Sequence, residues 1–295
     1  METKNLADAM RPTTFDSVVG NDKVVADIKA AIDNKKIGST ILLSGPHGCG
    51  KTTMAYLIAR YLNCETGNAC MECPSCKSLE SKSNTDVSFL DIGSRGSIDD
   101  IRQLLAHSTL APRYHKRVFI LDEAHALASK NAATALLTTL ESPPPNTVFI
   151  LCTTNPEKLL DTVVSRCVHF RLTRLSEGDI GIVLRKIIRR LKLVPVTDTG
   201  KAACSEVLAL ISEASGGHAR DAISMLQRVV NSMSGKESWD PKTLDLYTDR
   251  AAPSDLAGLL AAIIDLDLTD TIVRIRAHKE PRTLMYQLRT LDHIS

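Results

Sequence analysis

The chain has 295 residues, of which 43% are hydrophobic and 24% are charged, a balance typical of globular proteins. Its formal net charge of +2 does not indicate a nucleic-acid binder, and with 4% aromatic residues base stacking is disfavoured as a main mode of recognition. No run approaches the ~20 apolar residues of a membrane span, and the first ten residues lack the apolar core of a signal peptide. We therefore expect a cytoplasmic protein with no membrane association.

Helical and strand patterns alternate through the first part of the chain. Apolar spacing predicts a helix over Val24–Asn34, and short continuous apolar runs typical of buried strands follow it. These runs are Ile41–Leu43, Ser88–Leu90, Val118–Leu121 and Val148–Leu151, with helical stretches between them. The alternation predicts an α/β fold built on a parallel sheet that is buried on both faces.

From about Leu172 the strand-like runs disappear. Ser176 is predicted to cap a helix that continues to Lys192, and two further helices are predicted over Lys201–Ser215 and Ala219–Met233. The polar segment Ser232–Pro241 is typical of a linker. The residues after it have a helical pattern to the end of the chain.

A glycine-rich loop, GPHGCGKT, connects the first apolar run to a predicted helix over Thr52–Leu62. It fits the pattern G-x-x-x-x-G-K-[ST], in which glycines let backbone N–H groups approach phosphate oxygens. Lys51 is expected to reach the β- and γ-phosphates of ATP, and the Thr52 hydroxyl to coordinate Mg²⁺. A flexible glycine turn is the alternative, which the flanking strand and helix disfavour. The nucleotide-binding residues predicted here are Gly45, Pro46, His47, Gly48, Cys49, Gly50, Lys51, Thr52 and Thr53.

Two carboxylates, Asp122 and Glu123, follow the apolar run Val118–Leu121. At the carboxyl edge of a parallel sheet they would face a nucleotide crevice. Asp122 is expected to hold the Mg²⁺ shell, and Glu123 to orient and deprotonate the attacking water. Any strand can lead into a charged loop, but the phosphate loop upstream makes the pair specific. Together the two motifs predict ATP hydrolysis rather than ATP binding alone.

Four cysteines lie close together between the loop helix and the next strand: Cys64, Cys70, Cys73 and Cys76. Four thiolates can close a tetrahedral Zn²⁺ shell, and this segment has too few apolar residues for a core of its own. An iron–sulfur cluster, a redox dithiol and unliganded cysteines are the alternatives, although the fourth cysteine expected of the cluster spacing is absent. We therefore predict a structural zinc site within residues 64–76.

The order of these segments resembles the tau/gamma motor subunits of bacterial DNA polymerase clamp loaders, which belong to the AAA+ ATPases. The resemblance runs from Arg11 to about Met233. It rests on RPTTFDSVVGNDKV, LLSGPHGCGKTTMAYLIARYLNC, the four cysteines, FILDEAHAL, ALLTTLESPP, FILCTTNPEKL, SRCVHF and GGHARDAISML. It implies a P-loop AAA+ ATPase domain over residues 1–172, a small helical lid domain over 173–235 and a partial, collar-like helical domain over 236–295.

The resemblance also implies roles for residues outside the two motifs. Thr154 falls at the position that senses the γ-phosphate, with Asn155 as a neighbouring candidate. Arg166 matches the arginine finger that reaches into the ATP site of an adjacent subunit, although an arginine in such a sequence is usually a solvated surface charge. Arg220 matches the second sensor, on a lid helix. The residues expected to pack around adenine are Arg11, Pro12, Val18 and Val19.

DNA contacts are also implied by the resemblance. Arg95 and Arg102 flank a predicted helix, Ile98–Ala106, at positions similar to those that face duplex phosphates. Contacts to the phosphate backbone need cations and helix N-termini rather than base readout. A basic face on the predicted helix after Ser176 is another candidate, but we interpret it as a solvated lid face. Its members are Arg185, Lys186, Arg189, Arg190 and Lys192.

The function implied is the ATPase motor of a sliding-clamp loader. ATP binding would hold an open clamp, and primer–template DNA would trigger hydrolysis and release. The implied partners are other loader subunits, the sliding clamp and primer–template DNA, and the implied cofactors are ATP, Mg²⁺ and Zn²⁺.

Two alternative functions remain. Another AAA+ replication motor, such as a helicase or helicase loader, is disfavoured by the four cysteines and by Ser165-Arg166-Cys167. A non-hydrolysing structural subunit is disfavoured because both nucleotide motifs are intact.

The sequence departs from the family pattern in its last part. The family continues through a longer collar domain that holds the subunits together, whereas here we expect a compact collar or a shortened one after the linker.

Overall fold

The computed structural model describes residues 6–81, 83–95, 98–129, 133–233, 235 and 237–240. Its strands are β1 (Thr40–Ser44), β2 (Val87–Asp91), β3 (Arg117–Asp122), β4 (Thr147–Thr153) and β5 (Val168–Arg171). The α-helices are α1 (Leu6–Ala9), α2 (Asp22–Asp33), α3 (Lys51–Asn63), α4 (Pro74–Glu80), α5 (Ile92–Arg95), α6 (Ile98–Ser108), α7 (Ala133–Glu141), α8 (Asp161–Val164), α9 (Glu177–Arg190), α10 (Asp198–Ala214) and α11 (Ala219–Ser232). Most of the predicted collar, residues 241–295, lies outside the described residues.

The five strands of the described part of the chain pair in parallel, in the order β2-β3-β4-β1-β5. The four strands predicted from apolar runs are all present, and the predicted α/β fold with a parallel sheet is confirmed. In register, Leu42 of β1 lies opposite Leu151 of β4, and Ile120 of β3 lies opposite Ile150 of β4. The carboxyl ends of β1, β3 and β4 therefore meet at one edge of the sheet.

Alternating side chains of the central strands supply two separate cores, one on each face of the sheet. On one face Ile41, Ile120 and Ile150 pack against Met54 and Ile58 of α3. The opposite face has its own buried cluster, formed with α6 and α7. Its members include Leu42, Phe119, Phe149, Ile101, Leu104, Leu136 and Leu140. A strand whose side chains contribute to both cores has no polar face, and these runs are therefore continuously apolar in the sequence.

Strand β5 was not predicted. Among the described strands it is a short edge strand that pairs with β1 alone, and its side chains alternate between partly buried and exposed. The sequence Val-His-Phe-Arg therefore carries no continuous apolar run. Edge strands need only one apolar face, so the pattern that found the central strands missed this one.

The predicted helices agree with α2, α3, α6, α9, α10 and α11 within a few residues at each end. Ser176 caps α9 as expected: its hydroxyl accepts the Asp179 N–H at 3.1 Å, and the Asp179 carboxylate accepts the Ser176 N–H at 3.1 Å. This reciprocal pair satisfies two donors at the start of the helix. Helix α7 ends at Glu141, shortly before three consecutive prolines that cannot continue a helix.

The chain divides into two units. The first contains Met1–Lys192 and Ser215–Ser224, and therefore the sheet, α9 and the start of α11. The second contains Leu193–Ala214 and Met225–Ser295. In the second unit the Glu237 carboxylate accepts the Val196 N–H at 2.7 Å, just before α10 begins. The predicted lid over 173–235 contributes to both units, and its boundaries stay a prediction.

No helix within the described ranges is both long enough and apolar enough to cross a membrane.

A buried amide ties the end of α3 to the segment before β3. Asn63 is fully buried, and its Oδ1 accepts the backbone N–H groups of His115 at 3.2 Å and Lys116 at 2.8 Å. Its Nδ2 donates to the Ala59 carbonyl at 3.3 Å. Because α3 begins in the glycine-rich loop and β3 ends at Asp122, this link helps to fix one motif relative to the other.

We predict that Asn63→Ala lowers the free energy of unfolding by about 2–4 kcal/mol, because two backbone donors lose their acceptor. Urea-induced unfolding followed by circular dichroism measures the change. Asn231→Ala, at an exposed position in α11, is the matched control and should change stability by less than about 0.5 kcal/mol. Equal stability of the two variants would contradict the role given to Asn63.

Candidate nucleotide site and cysteine cluster

Strand β1 leads directly into the glycine-rich loop, whose conformation requires its glycines. Gly45, Gly48 and Gly50 have φ values of 153°, 71° and 98°. A Cβ at Gly45 would overlap the carbonyl oxygen of Leu172, so only glycine fits there. Helix α3 begins at Lys51, the residue after Gly50, so the loop is joined to a helix N-terminus that favours an anion.

Lys51 is held inside the loop, with an exposed fraction of 6%. Its Nζ donates to the carbonyl oxygens of Gly45 and Pro46, each at 2.8 Å. These contacts satisfy a buried ammonium and fix it beside the loop's backbone. Phosphate oxygens approaching the loop would be further acceptors for the same donor group.

The two motifs meet through a direct side-chain contact. Thr52 Oγ1 donates to Asp122 Oδ2 at 2.8 Å, so the start of α3 is joined to the end of β3. A hydroxyl and a carboxylate oxygen are ligands that Mg²⁺ prefers, and they lie close enough to serve one small cation. The donor set therefore fits the predicted magnesium site.

Glu123 has an unusual backbone, with a φ of 50°. Left-handed conformations of non-glycine residues cost about 1–2 kcal/mol and are concentrated at functional sites. Its N–H donates to Asp122 Oδ1 at 3.0 Å, which secures the turn. The turn directs the two adjacent carboxylates to different partners: Asp122 to Thr52, and Glu123 to Thr154, whose hydroxyl lies 3.3 Å from Glu123 Oε2.

His125 also contacts Glu123 and was not predicted. Its Nδ1 lies 3.2 Å from Glu123 Oε2 and 3.1 Å from the hydroxyl of Thr153, a buried residue at the end of β4. The signal in the sequence was the position of His125, two residues after Glu123 in FILDEAHAL.

A cavity of about 260 Å³ lies beside these groups, entirely within the first unit. Most of the nucleotide-binding residues predicted from the sequence line it, while Gly45, Pro46 and Thr154 do not. Those that line it are Arg11, Pro12, Val18, Val19, His47, Gly48, Cys49, Gly50, Lys51, Thr52, Thr53, Asp122, Glu123 and Arg220.

Helix α9 adds cavity-lining residues that sequence reasoning missed, among them Val183, Lys186 and Ile187. The basic residues Arg185, Lys186, Arg189 and Arg190 are exposed, in agreement with a solvated face. Lys186 nevertheless reaches back to the cavity rim, where its Nζ donates to the Ser17 carbonyl at 3.4 Å. Nothing in the local sequence distinguishes Lys186 from its basic neighbours.

Arg166 does not line this cavity in the described part of its own chain. Its side chain is 41% exposed and its Nη2 lies 3.3 Å from Glu141 Oε1, while Nη1 donates to the Thr162 carbonyl at 2.6 Å. These contacts hold the side chain at the surface, beside the C-terminal end of α7. The position is compatible with an arginine that acts on another chain.

Of the two arginines predicted to contact DNA, the structure describes the side chain of Arg102 but not that of Arg95. Arg102, on α6, is 73% exposed and lies 3.6 Å from Asp99. The backbone of Arg95 ends α5, but its side chain lies outside the described residues. The DNA contacts stay a prediction.

The four clustered cysteines come together as the sequence predicted. Their sulfur atoms all lie within 4.8 Å of one another, and three of the four residues are buried. Cys64 lies at the end of α3, and Cys73 caps α4, where its sulfur accepts the Cys76 N–H at 3.5 Å. Four sulfurs around one Zn²⁺ at about 2.3 Å lie somewhat under 4 Å apart, so this cluster fits a tetrahedral ion with small adjustment.

The thiols of the cluster differ in acidity. Burial opposes the ionisation of Cys64, but hydrogen bonds from the Thr66 hydroxyl and the Cys70 N–H lower the pKa of its thiol to about 5. Burial, assisted by the neighbouring sulfurs of Cys73 and Cys64, raises the pKa of Cys76 to about 12. All four thiols can therefore ionise together only if a cation compensates their charge, which is what a structural metal supplies.

Comparison with known proteins agrees with the resemblance that the sequence indicated. The chain is 37% identical over 235 residues to DNA polymerase III subunit gamma of Buchnera aphidicola, covering 78% of this chain and 62% of that protein. It is 36% identical over 242 residues to DNA polymerase III subunit tau of Escherichia coli K12, covering 81% of this chain and 36% of that protein. The chain thus spans less than two thirds of the length of these relatives.

Solved structures establish the fold independently of these relatives. The Thermotoga maritima RuvB Holliday junction branch migration motor superposes with a TM-score of 0.59 at 20% identity, covering 87% of this chain and 80% of that one. A likeness at this identity shows the fold alone. The family model described as DNA polymerase III, delta subunit matches residues 20–176, more than half of the chain. The chain therefore belongs to the DNA polymerase III delta subunit family.

Proposed function

We propose that this chain is an ATPase motor subunit of a sliding-clamp loader. The observation that carries the proposal is the meeting of Lys51, Thr52, Asp122 and Glu123 at one edge of the sheet, beside the 260 Å³ cavity. A subunit that only supports the assembly has no need of all four groups. The gamma and tau relatives support a role in clamp loading, although each is longer than this chain.

In this proposal the triphosphate of ATP lies on the glycine-rich loop and adenine lies among Arg11, Pro12, Val18 and Val19. Thr52 and Asp122 would hold Mg²⁺, which would supply positive charge to the phosphate oxygens. Glu123 orients a water whose oxygen forms a bond to the γ-phosphorus and whose proton passes to the carboxylate. The bond from the γ-phosphorus to the bridging oxygen breaks, and its electron pair leaves on ADP.

Arg166 is proposed to act on the ATP of a neighbouring chain, and Thr154 to sense the γ-phosphate. An arginine supplied in trans can raise the rate of phosphoryl transfer by about three to five orders of magnitude. ATP hydrolysis would then depend on assembly, and primer–template DNA and the clamp would regulate it. Arg95 and Arg102 stay candidates for contacts to DNA phosphates.

We expect Lys51→Ala to abolish ATP binding, because the buried ammonium is the main cation of the loop. Glu123→Gln should leave ATP binding within about twofold of wild type and reduce turnover by at least about a hundredfold. Calorimetry with ATP measures the first effect, and phosphate release in the presence of primed DNA and a sliding clamp measures the second. Lys36→Ala, at an exposed position, is the control.

Wild-type turnover in both motif variants would contradict the ATPase proposal. Turnover that does not respond to primed DNA or clamp, while both variants are inactive, would retain the ATPase and overturn the clamp-loader assignment. DNA unwinding in the absence of any clamp would favour another AAA+ replication motor.

We propose in addition that Cys64, Cys70, Cys73 and Cys76 hold one structural Zn²⁺. The chain should contain one zinc per molecule by elemental analysis, and Cys73→Ser should lose it and lower the melting temperature. Cys167→Ser should keep the metal, because Cys167 lies outside the cluster. Full zinc content in Cys73→Ser, or none in the wild type, would contradict this site.

A further inference from the structure

The carboxylate of Glu123 is held through one of its two oxygens. Oε2 lies 3.3 Å from the Thr154 hydroxyl and 3.2 Å from His125 Nδ1. Within the described residues, the other carboxylate oxygen, Oε1, accepts no hydrogen bond. One oxygen is therefore fixed, while the other stays available to a water molecule.

We propose that His125 is a positioning residue for ATP hydrolysis, which donates a hydrogen bond from Nδ1 to Glu123 and so fixes the carboxylate for proton abstraction. The inference rests on the proposed function, in which Glu123 accepts a proton from the attacking water. It assigns a role to a residue for which the motif itself provides none.

Competition for protons around Glu123 makes His125 the dependable donor. Thr154 has a single hydroxyl proton, and Asn155 Oδ1 accepts it at 2.7 Å, a shorter distance than that to Glu123. When that proton is directed to Asn155, the imidazole is the remaining donor beside Glu123 Oε2, and a proton on Nδ1 is shared between that oxygen at 3.2 Å and the Thr153 hydroxyl oxygen at 3.1 Å. An unprotonated Nδ1 at 3.2 Å from a carboxylate oxygen would place two acceptors against each other.

The hydroxyl of Thr153 sets the position of the imidazole. Thr153 is fully buried at the end of β4, accepts the Asn155 N–H at 3.1 Å and lies 3.1 Å from His125 Nδ1. The ring is thus held between a fixed hydroxyl and the carboxylate. The sheet edge, through β4 and the turn after β3, orients the side chain that performs the chemistry.

The proposed role of His125 affects the rate of hydrolysis but not the affinity for ATP. Lys51 and Thr52 lie on α3 and make their contacts without His125. Losing the Nδ1 donor leaves Glu123 Oε2 with only the longer contact to the Thr154 hydroxyl, at 3.3 Å, so the carboxylate is held less firmly. Because general-base catalysis depends on alignment, the rate constant should fall while the affinity for ATP stays unchanged.

Two matched substitutions test the position of the donor. In His125→Asn the side-chain amide nitrogen takes the place of Nδ1, whereas in His125→Gln it lies nearer the place of Nε2. Single-turnover hydrolysis of labelled ATP by the assembled full chain, in excess over ATP and with primed DNA and a sliding clamp present, should fall by about tenfold to a hundredfold in His125→Gln. His125→Asn should stay within about threefold of wild type, and calorimetry should give both variants the wild-type affinity for ATP.

Glu123→Gln separates failure of this inference from failure of the proposed function. If Glu123→Gln abolishes hydrolysis while His125→Gln retains the wild-type rate, the positioning role is overturned and the ATPase stands. If Glu123→Gln itself hydrolyses ATP at the wild-type rate, the proposed function fails first. Equal losses in His125→Asn and His125→Gln would show that the donor position does not matter, and would also overturn the inference.

Nitrogen NMR of the ¹⁵N-histidine-labelled chain provides a readout that does not depend on activity. The resonances of His125 are assigned by their loss in His125→Asn. The inference predicts a proton on Nδ1. An Nδ1 that lacks a proton and accepts from the Thr153 hydroxyl would overturn the inference whatever the rates are.

Discussion

The parallel pairing of β1, β3 and β4 is the constraint on which the rest of the site depends. Because parallel strands end at the same edge, the loop after β1, the acidic pair after β3 and the polar residues after β4 are brought together. The hydrogen bond from Thr52 to Asp122 closes this arrangement at 2.8 Å. Asn63, at the other end of α3, holds the same helix to the segment before β3.

The site assigns different tasks to adjacent residues. Asp122 and Glu123 are neighbours in sequence, yet the left-handed backbone at Glu123 turns one carboxylate towards Thr52 and the other towards His125 and Thr154. That local strain is supported by the N–H of Glu123 on Asp122 and by the buried strand before it. Strain of this kind is tolerated where the surrounding structure fixes the conformation.

The sequence predicted those features of the fold and the site whose cause lies within one short segment of the chain. The central strands are continuously apolar because each supplies two cores, and the glycines at Gly45, Gly48 and Gly50 are required by positive φ values. Edge strand β5 was missed because it needs only one apolar face. His125 and Lys186 were missed because their roles come from contacts with distant segments, through Thr153 and Ser17 respectively. Such contacts leave no periodic pattern in the chain.

The proposed ATP site is a shared one, with Glu123 contributed by one chain and Arg166 by the next. Its most direct test mixes Glu123→Gln chains, which keep Arg166, with Arg166→Ala chains, which keep Glu123, after sedimentation has verified assembly. We predict that each variant alone hydrolyses ATP poorly and that the mixture regains a substantial part of the wild-type rate. Full turnover by Arg166→Ala chains alone, or a mixture as inactive as its components in a verified assembly, would contradict the account.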